Sequence, residues 1–256
     1  SFSISFPPFC VYFLRGSKSN VWMSVSDLMT GLMVIFLFIA VAYMIQVKEN
    51  QNVLTDYVET KTKLHDKLVS EFKEESKTWD MSIGKDLSMR FNNPTVLFAQ
   101  GSAAITPQFK VILDEFIPKY LDILLNDSLR SHIQEIRIEG HTDNVPYPQL
   151  HPQPFVANVI LSQQRALSVL MYIQPMFVKY PPEQQRLLEY WFTANGLSYG
   201  KALNKDGDYA LVSSKDHKID KEKSRRVEFR IITAGDEVLE NFVKKNSATT
   251  GSSATN

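Results

Sequence analysis

A long apolar stretch near the N-terminus constrains this chain more than any other feature of its sequence. Between Lys18 and Lys48 the only charged residue is Asp27, and residues 21–45 are otherwise almost entirely apolar or small. A helix rises about 1.5 Å per residue, so about 20 residues cross the roughly 30 Å hydrocarbon layer of a bilayer. The sequence therefore predicts a single transmembrane helix over residues 21–47.

The aspartate inside this helix predicts a functional group. A carboxylate in a membrane span costs about 2.5–3.5 kcal/mol on insertion scales, and such residues commonly serve ion pathways. Ser24, Asp27 and Gly31 share one helix face, with Thr30 beside them, and small or polar faces favour a neighbouring helix. We expect Asp27 to face protein and carry an ion. The alternative is an aspartate that simply reaches water at the cytoplasmic end.

The flanking charges predict the orientation of the helix. Residues 1–20 contain Arg15 and Lys18 and no acidic residue, which favours a cytoplasmic N-terminal segment under the positive-inside rule. A cleaved signal peptide is the competing interpretation, but the apolar stretch is longer than a typical signal core. We expect a retained anchor, with the chain after about residue 47 outside the cytoplasm.

Composition narrows the remaining possibilities. The 28 basic and 28 acidic residues balance, which gives no support for nucleic-acid binding. The only cysteine, Cys10, precedes the membrane helix, so an exported region can form no disulfide and must be stabilised by packing. A chain of 256 residues with one span leaves room for one soluble domain and a connector.

Residues 48–93 are predicted to form a helical connector. They are rich in charge, with no proline before Pro94 and no glycine before Gly84. A heptad-like apolar stripe, broken by Lys61, is compatible with a solvated amphipathic helix or with a parallel dimeric coiled coil. The stripe consists of Val47, Leu54, Tyr57, Leu64 and Leu68.

Residues 94–233 are predicted to form a soluble α+β domain, one mixed sheet covered by helices. Alternating apolar residues, proline positions and a Thr-Pro helix start define its elements. A tail from residue 234 is Ser/Thr/Asn-rich from Lys244 and is expected to be disordered. Strands are predicted at 95–98, 133–139, 191–197 and 227–231, and helices at 106–125, at 156–173 and after Pro182.

The membrane segment resembles the signature of MotB-type stator subunits. In that family an aromatic residue precedes an Asp-hydrophobic-Met-Thr segment. In this chain the aromatic residue is Trp22 and the segment runs from Asp27 to Thr30. The resemblance implies that Asp27, with Thr30 nearby, accepts ions from an entry path and releases them to the cytoplasm.

The soluble domain resembles the OmpA-like peptidoglycan-binding fold through four segments in the expected order. The resemblance implies that Asp143 and Arg165 hold the zwitterionic end of diaminopimelate in a wall peptide, with Asn158, Leu161 and Arg226 as neighbours. The segments are Val96-Leu97-Phe98 with Gly101-Ser102-Ala103, Gly140-His141-Thr142-Asp143, Leu161-Ser162-Gln163-Gln164-Arg165-Ala166, and Arg225-Arg226-Val227-Glu228.

Structural roles compete with these assignments. Asp143 could cap the loop that follows it, and Arg226 could be an ordinary salt-bridge partner within a strand. The chain also departs from the family pattern, because the loop 144–156 contains four prolines and Ser224 stands where asparagine is common. Both departures bear on glycan selectivity.

Enzymatic sites are not supported by the sequence. His141, Asp143 and His151 match no strong zinc spacing, so we expect no metal. Ser162 lies in no Gly-x-Ser-x-Gly elbow, and no phosphate-binding glycine pattern occurs. We expect no enzyme and no cofactor beyond a translocated proton or sodium ion.

Together the two resemblances imply a stator of the bacterial inner membrane, with its domain anchored in the periplasm. The apolar segment and its helical continuation look most like the stator subunits of Zorya anti-phage systems, because the basic N-terminal tail common in flagellar stators is missing. A multi-spanning MotA-like partner and two copies of this chain are expected. The alternatives are a flagellar stator and a passive OmpA- or Pal-type wall tether.

Overall fold

The structure, a computed structural model, describes residues 19–236, without side-chain detail for residues 19–24, 49–54 and 56. The chain divides into two compact units, with the division between Asn52 and Val53. The predicted N-terminal segment with Cys10 and the tail after residue 236 lie outside the described residues.

The first unit contains the N-terminal part of helix α1, which spans Ser19–Glu71. Within it, Val25–Lys48 is a window of 24 residues with a mean hydropathy of 2.5 and no buried residues. Proline does not occur in this window, and one glycine does, so nothing breaks the helix. The window is long and apolar enough to cross a membrane, in agreement with the predicted span.

The second unit is built on a five-stranded mixed sheet in the order β1-β2-β5-β3-β4. All neighbouring strands are antiparallel except β3 and β4, which are parallel. The strands are β1 Met81–Ile83, β2 Ser88–Phe91, β3 Ile133–Gly140, β4 Phe192–Gly196 and β5 Val227–Thr233. The helices are α2 Glu75–Thr78, α3 Pro94–Leu97, α4 Pro107–Leu124, α5 Asp127–Arg130, α6 Pro154–Ile173, α7 Pro182–Trp191 and α8 Lys221–Ser224, and Gln174–Lys179 is a 3-10 helix.

Most elements follow from local sequence signals. Helix α4 begins where Thr106 accepts a hydrogen bond from the backbone N–H of Phe109 at 3.1 Å, with Pro107 in the first turn. The strands predicted at 133–139 and 227–231 are confirmed as β3 and β5. The α+β sheet covered by helices is likewise confirmed.

One aromatic cluster holds helices and sheet together. The ring of Phe116 on α4 lies 4.9–5.2 Å from the rings of Phe72, Phe91, Tyr120 and Phe229. All five side chains are fully buried. Burying each aromatic side chain contributes roughly 1.5–3 kcal/mol, so this cluster is a main source of stability in a region without cysteine.

The strand predicted at 95–98 is wrong. Residues Pro94–Leu97 form the short helix α3, because the Asn93 side chain accepts a hydrogen bond from Val96 N and Pro94 occupies the first helical position. Only Phe98 is extended, in an isolated bridge with Ile105.

The helical connector predicted through residue 93 is wrong in its second part. Helix α1 ends at Glu71, and β1 pairs with β2 in a hairpin that belongs to the sheet. The folded domain therefore begins well before residue 94. Sequence patterning missed these strands because they are only three and four residues long.

The heptad-like stripe belongs in part to the core of its own chain. Leu64 and Leu68 are 1% and 0% exposed and pack with the aromatic cluster, so neither can line a dimer seam. The Tyr57 hydroxyl donates a hydrogen bond to Asp236 just after β5. The Leu54 side chain lies outside the described residues.

Candidate functional site

The candidate site forms where the loop after β3, which carries Asp143, meets helix α6, which carries Arg165. A Cβ on Gly140 would overlap the Ser162 carbonyl, and a Cβ on Gly196 would overlap the Gln163 backbone. Glycine at these two positions therefore lets α6 approach β3 and β4 closely. The Gln163 side chain makes two hydrogen bonds to β4. Its Nε2 donates to Ala194 O at 3.0 Å, and its Oε1 accepts from Gly196 N at 2.7 Å.

Ser198 fixes the loop and the helix relative to each other. It has a φ of +53°, a left-handed conformation that non-glycine residues adopt at a cost of about 1–3 kcal/mol. Its N–H donates to Ser162 Oγ, its carbonyl accepts from Thr142 N, and its hydroxyl donates to Phe155 O, all at 3.0 Å. Three hydrogen bonds thus hold Ser198 between α6 and the residue preceding Asp143.

Asp143 is buried, with one oxygen used and one available. Oδ1 accepts the N–H of Val145 at 3.0 Å, which is the loop-capping role considered from the sequence. Oδ2 has no hydrogen bond, and Arg225 Nε lies 3.7 Å away. The cap and a ligand-binding role are therefore compatible, because they use different oxygens.

Arg165 lies deep in the same site and keeps its terminal nitrogens unused. Its Nε donates to Ser102 O at 2.9 Å, and its guanidinium carbon lies 5.1 Å from the centre of the Phe98 ring. Burial lowers its pKa. Within the described part of the chain, no residue hydrogen-bonds the two terminal nitrogens, which leaves a planar pair of donors suited to a carboxylate.

Arg165 lines a cavity of about 130 Å³, and Asp143 lies just outside its lining, with its Oδ2 3.7 Å from Nε of the lining residue Arg225. The cavity is a small pocket with three guanidinium groups and an apolar wall. The lining residues are Pro94, Thr95, Leu97, Phe98, Gln100, Tyr147, Arg165, Arg225 and Arg226.

Asn158 and Leu161 support the pocket from outside its lining. Asn158 Nδ2 donates to Val145 O and Pro154 O at 2.8 and 3.0 Å. Leu161 packs with Tyr147 in a small apolar cluster. Both residues therefore position the loop that follows Asp143.

Arg226 lines the cavity but is largely committed to the protein. It is 3% exposed, its Nε donates to Glu228 Oε1 at 2.6 Å, and a terminal nitrogen donates to Lys201 O at 3.2 Å. These contacts match the salt-bridge role considered from the sequence.

Seven of the nine lining residues are not among the site residues predicted from the sequence, and they include Arg225, Tyr147 and Phe98. Arg225 directly precedes Arg226, and the sequence alone does not distinguish which of the two adjacent arginines faces the pocket. Tyr147 lies in the proline-rich loop, and Phe98 was assigned to a strand. The charge of Arg225 is the sequence feature that could have indicated a role in this site.

An arginine–carboxylate network lies on the sheet beneath the pocket. Burial alone would raise the pKa of Glu228, but His141, Arg226 and Arg90 outweigh burial and lower it to about 2. Arg230 adds contacts to Glu228 Oε2 and to Glu139 Oε1 at 3.1 and 3.3 Å.

The same network contains a possible metal-ligand cluster of Glu139, His141 and Glu228. Both glutamates already contact arginine guanidinium groups, so a divalent cation would compete with existing ion pairs. Elsewhere in residues 19–236, His151 does not join His141 and Asp143 in any metal-ligand cluster.

In the first unit, Asp27 lies on an exposed helix surface. Thr30, three residues on, donates its hydroxyl to Ser26 O at 2.8 Å, so its lone pairs stay free to accept a hydrogen bond or an ion.

Part of the second unit is similar to known proteins. The OmpA family model matches residues 97–196. A solved OmpA-like domain of FopA1 from Francisella tularensis is 17% identical, with a TM-score of 0.33 over 60% of this chain and 81% of that one. The periplasmic domain of Helicobacter pylori MotB (residues 78–256) is 19% identical, with a TM-score of 0.36 over 62% of this chain and 85% of that one.

Two curated relatives are Zorya ZorB proteins of Escherichia coli. The relative from strain Crooks is 36% identical over 226 residues, covering 86% of this chain and 90% of its own length. The relative from strain E24377A is 26% identical over 225 residues, covering 84% and 81%. The chain is therefore a member of the Zorya ZorB family, with an apolar N-terminal helix and an OmpA-like domain.

Proposed function

We propose that this chain is a peptidoglycan-anchored, ion-conducting stator subunit of a MotA/MotB-like membrane motor in Zorya phage defence. One combination carries the proposal. An apolar segment in which Asp27 is the only charge between Lys18 and Lys48 stands on the same chain as an OmpA-like domain whose pocket is lined by Arg165 and Arg225, with Asp143 beside Arg225.

The ion-conducting role rests on Asp27 and Thr30. A carboxylate can bind and release a proton or a sodium ion, and the Thr30 hydroxyl oxygen offers a second ligand one helical turn away. Moving one elementary charge through 100 mV supplies about 2.3 kcal/mol, enough to bias a conformational step. One helix cannot enclose an ion path, which supports a multi-spanning MotA-like partner, here ZorA, and two copies of this chain in the complex.

The wall-binding role rests on charge complementarity. A ligand ammonium matches Asp143 Oδ2, and a ligand carboxylate matches the two terminal nitrogens of Arg165. Diaminopimelate in peptidoglycan carries both groups at one carbon. This assignment is compatible with a cytoplasmic N-terminus and a periplasmic domain in the inner membrane.

The first test replaces Asp27 by Asn, which keeps nearly the same shape and removes the exchangeable charge. We expect Asp27→Asn cells to lose phage resistance while membrane levels of the protein stay normal. Asp27→Glu should retain part of the resistance because it keeps a carboxylate. Asp66→Asn, which neutralises an exposed acid of α1 outside the apolar window Val25–Lys48, is the matched control. Full resistance with Asp27→Asn would refute ion conduction and favour a passive wall tether.

The second test addresses the wall. Asp143→Asn keeps the loop cap, and Arg165→Gln keeps much of the side-chain volume, yet each removes one charge from the pocket. Truncating one member of a buried charge pair costs about 2–5 kcal/mol in binding, so co-sedimentation with diaminopimelate-type peptidoglycan should fall sharply. Arg186→Gln on the exposed face of α7 is the control. Unchanged sedimentation of both pocket variants would exclude these residues from wall binding.

A further inference from the structure

The pocket carries one more positive charge than negative charge. Of the three arginines that line it, Arg226 is ion-paired with Glu228, which leaves Arg165 and Arg225; within residues 19–236 Asp143 is the carboxylate beside them. A simple zwitterion has one ammonium and one carboxylate, so it would leave the excess charge in place. A ligand with a second carboxylate would neutralise it.

The groups beneath the pocket do not cancel this excess. In the adjoining network three guanidinium groups contact three carboxylates, and His141, whether neutral or protonated, supplies no negative charge. The arginines are Arg90, Arg226 and Arg230, and the acids are Asp86, Glu139 and Glu228.

The contact between Arg225 and Asp143 is incomplete. Arg225 Nε and Asp143 Oδ2 are both buried and have no hydrogen-bond partner, and their separation of 3.7 Å exceeds the 2.7–3.2 Å of an N–H···O bond. The Arg225 side chain is still 29% exposed. An ammonium at Oδ2 would satisfy Asp143 and release Arg225 for another anion.

We propose that Arg225 is the second carboxylate-binding arginine of this pocket and that it sets ligand specificity. The preferred ligand then carries one ammonium and two carboxylates. In peptidoglycan this is a stem peptide that ends at its diamino acid, with both carboxylates of that residue free. The inference rests on the proposed wall binding and names the peptide class that the site prefers.

Two ligands that differ by one charge test the proposal. Both are synthetic Ala-γGlu-diaminopimelate tripeptides, and one has an amide in place of the diaminopimelate carboxylate nearer the peptide bond, which leaves the terminal zwitterion intact. Binding is measured by calorimetry on the full chain in detergent at fixed ionic strength. We expect the doubly carboxylated peptide to bind roughly tenfold more tightly, the effect of one hydrogen-bonded charge pair.

Variants assign this preference to a residue. Arg225→Gln should bind the two peptides almost equally, Arg225→Lys should keep part of the preference because it keeps the charge, and Arg186→Gln should behave like the unmodified chain. Equal binding of both peptides by the unmodified chain would overturn the inference and leave wall binding intact. A preference that persists in Arg225→Gln would remove Arg225 from specificity. Binding of neither peptide would refute wall binding and this inference with it.

Discussion

Replacing Glu228 by Gln is expected to destabilise the domain in a pH-dependent way. Glu228 is fully buried, and its Oε1 contacts Arg226 and Arg90 at 2.6 and 3.2 Å. Gln has nearly the same shape but no charge, so it leaves the guanidinium groups with one carboxylate fewer. Removing one partner of a buried ion pair costs about 3–5 kcal/mol.

The pKa of Glu228 gives a similar magnitude. It is lowered from 4.5 to about 2, which corresponds to roughly 3 kcal/mol of stabilisation at neutral pH. Because the pKa of Glu228 is lower in the folded than in the unfolded protein, its stabilising contribution is fully present when the pH is above the unfolded-state pKa. The contribution is lost as the pH falls through the folded-state pKa. The cost of Glu228→Gln should therefore be about 3 kcal/mol at pH 7 and only about 1 kcal/mol at pH 3.

Urea unfolding of the full chain in detergent, followed by tryptophan fluorescence, measures this cost. A loss of 3 kcal/mol corresponds to a midpoint shift of about 1–3 M urea. Glu189→Gln on the exposed surface of α7 is the control and should stay within about 0.5 kcal/mol of the unmodified chain. A loss below about 1 kcal/mol at pH 7, or the same loss at pH 7 and pH 3, would refute the assignment of Glu228 as a stabilising buried charge.

Two further predictions concern packing. Leu68→Ala should lower the free energy of unfolding of the domain by about 2–5 kcal/mol, because Leu68 is fully buried in its core, and urea titration checks this. An unchanged midpoint would return Leu68 to a solvent-facing or intermolecular surface. Gly140→Ala should cost about 1–3 kcal/mol and weaken peptidoglycan sedimentation, because the new methyl group pushes the Ser162 backbone, and α6 with it, away from β3. Wild-type sedimentation by a folded Gly140→Ala protein would contradict this close-packing requirement.

The sequence predicted long, strongly patterned elements well and short ones poorly. The helix beginning at Thr106 has a cap and a proline that act locally, so its start is readable from the sequence. The hairpin of β1 and β2 contains only three residue pairs and no strong turn signal, so its place at the sheet edge depends on tertiary contacts.

The pocket was predictable in its motif residues and not in its complete lining. Asp143 and Arg165 stand in recognisable motifs, and the structure brings both to one site. The contribution of Arg225 depends on a loop that turns its side chain toward Asp143, which no periodic pattern encodes. Likewise, the sequence does not show whether Leu64 packs against a second copy of the chain or against the core of its own domain, because that depends on which element lies next to it in the folded protein.

The Gln163 side chain has a consequence for solubility. Strand β4 is an outer strand of the sheet, and an open strand edge can recruit a strand from another molecule. The Gln163 amide occupies Ala194 O and Gly196 N on that edge, as a neighbouring backbone would. One side chain therefore occupies two outward-facing backbone groups of β4 that a strand from another molecule would need for pairing at this edge.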